Sequence, residues 1–218
     1  MRLEHALILN RYFHGLFDAR DLTELKQPLN VQEGRAADGQ SYFYGALLGR
    51  AQDAALRDKL AEYDARVMSY EARLAKARGQ FAFKYFQYLG LLYTEIFLDR
   101  LTTEPVAFLA DLNAFLQRQK RAEPTLHEFS DFEASDLRRL AFFMATGSGK
   151  TLLLHVNLWQ VFLYLRHGRH PEALVKRADK RREFDSILLI TPNEGLSEQH
   201  LKELRLSGVD AVLLVSEC

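Results

Sequence analysis

The residues of this chain best suited to chemistry lie between Met144 and Thr151, in the order Met-Ala-Thr-Gly-Ser-Gly-Lys-Thr. Glycines at 147 and 149 open backbone angles closed to other residues, so successive N–H groups can turn inward on an anion. A helix that starts at such a turn adds the positive end of its dipole, which favours phosphate. Thr146, Gly147, Ser148, Gly149, Lys150 and Thr151 are therefore the candidate nucleotide-binding residues. Lys150 has the reach for β- and γ-phosphates, and the Thr151 hydroxyl suits Mg²⁺. The strict consensus has glycine where Met144 stands, a departure that removes no phosphate ligand. The plain alternative is a Gly/Ser turn with an incidental lysine.

Elements on either side must position this loop. Leu140, Ala141, Phe142 and Phe143 form a short apolar run that reads as a buried strand. From Leu152 to Phe162 the apolar residues continue as a helix. A second expected strand, Ile187 to Ile190, ends in Thr191-Pro192-Asn193-Glu194. With Thr191 as N-cap, Pro192 at the first helical position and Glu194 as partner, this predicts a capping box and a helix to about Leu206. Glu194 is then a structural cap rather than a catalytic base. Gly195 in the first turn would let a phosphate backbone approach closely. A third apolar stretch, Ala211 to Val215, follows. Strand, loop, helix, connector, strand, helix and strand together predict an α/β unit with a parallel sheet.

The half before the loop reads as helical. Leu56, Leu60, Tyr63, Val67, Tyr70 and Leu74 recur at alternating four- and three-residue steps among charged residues. This predicts one long amphipathic helix closed near Gly79. It is too short for a sustained coiled coil, so packing within its own domain is expected. Phe81 to Leu101 is aromatic and apolar on nearly every side. Such aromatics can stack on bases, but a helix of this kind is usually buried. Glu95 and Asp99, beside Arg100, read as a solvated or salt-bridged edge rather than a catalytic pair. Pro124 and the acidic residues between Lys120 and Asp136 mark a boundary. The expected division is a helical region over 1–135 and the nucleotide-binding part over 136–218.

Composition narrows the function classes. Basic and acidic residues number 29 each, so no global field attracts nucleic acid and any polyanion site must be local. The connector Arg166 to Asp185 is locally basic, and reads as a solvated loop or a DNA contact. His167 and His170 within it lack a second ligand pair for zinc. Cys218 is the single cysteine, so no internal disulfide is expected. Ala6 to Leu9 is interrupted by Asn10, Arg11 and His14 before a secretory core forms. Leu89 to Leu98 is about half the length a bilayer requires and contains Glu95. No membrane attachment and a cytoplasmic location are the expectation.

The stretch LAFFMATGSGKTLLLHVNLWQ, followed by ILLITPNEGLSEQHLKEL, resembles motifs I and Ia of superfamily-2 DEAD/DEAH-type helicases, closest to the type III restriction enzyme Res subunits. The upstream FKYFQYLGLLYTEIFLDRL is similar to a helical segment preceding the motor in a bacterial branch of that group. What the resemblance implies is a partial RecA-like lobe that binds ATP and Mg²⁺ through residues 146–151. It also implies that Thr191, Pro192, Asn193, Gly195 and Gln199 lie on a DNA backbone. DNA, and a methyltransferase or other defence-system subunit, would be the partners of the parent motor. Asn193 stands where many members of the family carry arginine.

No Asp-Glu pair follows an apolar strand to hold Mg²⁺ and position water, and Ser216-Glu217 is the nearest substitute. The second lobe, its arginine finger and a nuclease motif are also missing. The sequence therefore reads as an N-terminal portion of a restriction-type helicase or translocase that binds nucleotide without hydrolysing it. No catalytic set is complete within it. The other readings are a non-catalytic adaptor module with a vestigial loop and, more remotely, a small phosphotransferase.

Overall fold

The helix predicted from the spacing of Leu56 to Leu74 spans Ala54–Arg78 and is the longest among the described residues. The computed structural model describes residues 6–166 and 187–214. In chain order its α-helices are α1 (Ile8–Gly15), α2 (Leu22–Lys26), α3 (Tyr42–Leu48), α4 (Ala54–Arg78), α5 (Tyr85–Thr103), α6 (Pro105–Ala122), α7 (Lys150–Arg166) and α8 (Glu194–Leu206). Short 3₁₀ turns occupy Pro124–Glu128 and Asp136–Arg138.

Local chemistry sets the helix ends. The side chains of Asp21, Ser41 and Asp53 accept first-turn amides of α2, α3 and α4. Gly79 ends α4 at a positive φ of 89°, with its N–H on Ala75 O. Pro105 opens α6 directly after α5, where a missing N–H costs nothing.

The periodic apolar face of α4 is buried as expected: Leu60, Val67 and Leu74 have no exposed surface. Each such side chain contributes about 1.5–3 kcal/mol through burial. α5 lies at the centre, packed against α4 on one side and α7 on another. One continuous core takes in residues from both sides of position 136, including Tyr88, Leu92, Val156 and Trp159.

The expected parallel sheet is not present: among the described residues there is no strand, only an isolated bridge between Arg35 and Ser41. The architecture is predominantly helical, and the α/β reading with a partial RecA-like sheet is corrected accordingly. Residues 140–143, 187–190 and 211–214 run without ladder partners. Their apolar side chains face outward, with Phe143 60 %, Leu188 65 %, Ile190 82 % and Val212 77 % exposed. The physical reason lies in α7. In an α/β unit its apolar face would lie on a sheet, whereas here Leu153, Val156, Gln160 and Tyr164 are buried and the helix packs on α5. Short apolar runs do not reveal whether they end in a ladder.

The capping box is also corrected. Asn193, not Thr191, caps α8, its Oδ1 accepting Leu196 N at 2.9 Å, and Glu194 is the first helical residue. The Thr191 hydroxyl instead donates to Asn193 O at 3.0 Å. The helix ends at Leu206 as predicted. The connector beyond Arg166, with His167 and His170, and the stretch Val215 to Cys218 lie outside the described residues. Among the described residues no helix is long and apolar enough to cross a membrane.

Candidate phosphate-binding loop

Thr146 to Gly149 form the turn that leads into α7, and Lys150 and Thr151 are its first two residues. Gly147 and Gly149 have φ of 79° and 89°, the left-handed region that their glycine identity predicted. The opening amides of α7 have no acceptor within the helix, as at any helix start. The candidate ligands are thus brought together at a helix N-terminus, and the loop itself is largely exposed.

Lys150 folds back on the loop. Its Nζ donates to Ala145 O at 3.0 Å and to Met144 O at 3.2 Å. Ser148 closes the turn, its N–H and hydroxyl both donating to Ala145 O, at 3.3 and 2.6 Å. Beside the lysine is a cavity of about 410 Å³, lined by Phe142, Phe143, Met144, Ala145 and Lys150. Thr151 is half-buried, one position into the helix.

A residue that sequence reasoning passed over backs the loop. Gln87, in the first turn of α5, is 8 % exposed and donates from Nε2 to Ser148 O at 2.9 Å. Its Oε1 accepts Lys84 N at 3.0 Å, which fixes the amide in one orientation. A Cβ on Gly149 would stand 2.6 Å from that Nε2, so a larger residue would have to displace the Gln87 amide from Ser148 as well as strain φ. The available signal was a glutamine three residues into a helix, the reciprocal half of a capping box.

Further along, α7 is held to α5 by a buried polar cluster. Glu95 has no exposed surface, and burial raises its pKa. It accepts Gln160 Nε2 at 2.8 Å, Tyr164 OH at 2.8 Å and Tyr70 OH at 3.3 Å, with the Arg66 guanidinium at 3.5 Å. Asp99, 3 % exposed, accepts Lys59 at 2.6 Å and Tyr63 OH at 2.7 Å from α4. The expected salt bridges are there, but at buried sites and not on a solvated edge. Gln160 also donates to Leu91 O at 2.9 Å, and at Gly90 the backbone of α5 passes so close that a Cβ would lie 3.2 Å from Leu153 Cδ2.

The DNA candidates Thr191, Pro192, Asn193, Gly195 and Gln199 sit at the start of α8, and all but the half-buried Thr191 are exposed. The other end of that helix is anchored. Arg78 donates to Glu203 Oε2 at 2.7 Å and Ser207 Oγ at 2.9 Å, and Arg73 to Gly208 O at 3.0 Å. His155 Nδ1 meets Ser207 Oγ at 2.8 Å, and burial lowers the pKa of this histidine to about 4. The Oδ1 of Asn193 is committed to its cap, which leaves the side-chain NH₂ as its donor.

Among the described residues no group of three or more His, Cys, Asp or Glu side chains could hold a metal ion. Searches of family models, curated proteins and solved structures return no match to this chain.

Proposed function

We propose that residues 146–151 bind the phosphates of ATP with Mg²⁺, as the nucleotide-binding part of a DNA-dependent helicase or translocase of restriction type. The carrying observation is Lys150, whose ammonium rests on two neutral loop carbonyls beside the cavity. A phosphate oxygen is the stronger acceptor for an ammonium, so a triphosphate would draw Nζ off the carbonyls. Two positive-φ glycines and the first-turn amides of α7 supply the remaining donors. Bound ATP would bring the Mg²⁺ that the Thr151 hydroxyl coordinates. The motor and DNA parts of the proposal rest on the motif resemblance and on the exposed start of α8. The proposal covers binding alone.

Equilibrium binding of a fluorescent ATP analogue to wild type and Lys150→Ala tests the reading. We expect saturable, Mg²⁺-dependent binding that the substitution weakens at least tenfold. Equal binding by both proteins, or none by wild type, would refute it, and DNA-stimulated turnover would overturn the binding-only clause. The outward-facing apolar residues 140–143 and 187–190 favour a second reading, an adaptor whose partner binding is indifferent to Lys150→Ala.

A further inference from the structure

We infer that Glu95 is a positioning residue for the phosphate loop, setting the rotation and rise of α7 against α5 through Gln160 and Tyr164. The inference rests on the nucleotide reading of the loop. α7 is apolar on nearly every side: Leu152, Leu153, Leu154, Val156, Leu158 and Trp159 lie within its first three turns. Burying such a helix is favourable in many rotations, so the hydrophobic effect does not select one. Directional bonds do. Glu95 takes one from Gln160 and one from Tyr164, a turn apart on α7, and is itself held to α4 by Tyr70 and Arg66.

A buried carboxylate adds little net stability, and its best-attested use is to fix register. A helix is stiff, so its angular setting at Gln160 and Tyr164 is carried to Lys150 and Thr151. At that end Gln87 Nε2 donates to Ser148 O, a bond that a rotation of α7 would break, and Gly90 admits Leu153 midway between. Glu95, Gly90 and Gln87 thus hold α7 at three levels along one side of α5. The lowest of these shapes the anion site.

Asp99 supplies the comparison. It lies one turn further along α5, is equally buried, and gives its carboxylate to Lys59 and Tyr63 of α4. In Glu95→Gln an NH₂ donor replaces one acceptor oxygen, so Gln160 or Tyr164 must reverse or give up its bond, and the charge facing Arg66 is lost. Tyr164→Phe removes one bond with the carboxylate retained.

The experiment measures Mg²⁺-ATP affinity, hydrogen exchange of amides 146–152 without nucleotide, and thermal midpoint in wild type, Glu95→Gln, Tyr164→Phe and Asp99→Asn. We expect both α7-facing variants to weaken affinity about fivefold or more and to speed loop exchange. Asp99→Asn should lower the midpoint with affinity and loop exchange unchanged. Affinity that follows the midpoint across all three variants, or loop exchange unaltered in Glu95→Gln, would overturn the inference. If wild type takes up no ATP, the nucleotide reading falls alone, and the exchange comparison still decides whether Glu95 positions the loop.

Discussion

Gln87 and Ser148 are 61 positions apart in the chain and are joined by one hydrogen bond of 2.9 Å between side-chain amide and main-chain carbonyl. Through it the first turn of α5 supports the turn that opens α7. Removing the amide in Gln87→Ala leaves a half-buried carbonyl without its donor, a loss of about 1–3 kcal/mol. Nucleotide affinity should fall while helix content, read by circular dichroism, stays the same.

Gly149→Ala should weaken nucleotide binding at least tenfold, since it meets two separate obstacles. A Cβ there would lie 2.6 Å from Gln87 Nε2, and φ of 89° is costly for alanine by about 1 kcal/mol or more. The double variant Gly149→Ala with Gln87→Ala relieves the first obstacle alone. Titration of the double variant should therefore recover part of the affinity at most.

At Gly90 the close approach of α5 and α7 is open to test by size. Gly90→Val would put branched carbons where a Cβ already stands 3.2 Å from Leu153 Cδ2. We expect overpacking of about 1–3 kcal/mol, measured by denaturant unfolding. Gly45, with nothing within 4 Å of its Cβ position, should accept alanine without such a loss.

Stability should depend on pH through two buried histidines. Burial lowers His14 and His155 from 6.5 to about 4, so between those values the unfolded chain binds protons that the folded chain does not. That contribution is fully present above pH 6.5 and is lost as pH falls toward 4. Glu95 acts in the opposite sense. Its raised pKa lets the folded state keep a proton above 4.5, so its share weakens as pH rises through that window. Unfolding free energies should fall on acidification from pH 6.5, with a slope of up to about 1.4 kcal/mol per pH unit for each histidine. His155→Gln should flatten that slope, and an unchanged slope would contradict the assignment.

Much of the helical architecture could be read from the chain because its signals are local. The alternating steps from Leu56 to Leu74 gave α4 and its buried face, and the glycine pair gave the two positive φ angles of the loop. What eluded sequence reading depends on distant partners. Leu140–Phe143 and Ile187–Ile190 carry strand-like composition, but whether a ladder forms is decided elsewhere in the chain. The contact of Gln87 with the loop and the burial of Glu95, which reads in sequence as a solvated or salt-bridged edge, depend on distant partners in the same way, although a carboxylate in an otherwise apolar helix signals a buried partner. Thr191 and Asn193 are both good caps in sequence, and only geometry sets the start of α8 at the second of them.

The pairing of α5 with α7 also bears on how the chain is made. Tyr164 and Glu95, and likewise Gln160 and Leu91, meet across 69 positions. On the ribosome α5 therefore emerges well before the helix that covers one of its sides. During that interval an apolar flank, and a carboxylate that lacks its two α7 partners, face water, inviting chaperone capture or aggregation. Substitutions at Glu95 should therefore be judged by yield of soluble protein as well as by the properties of molecules that finish folding.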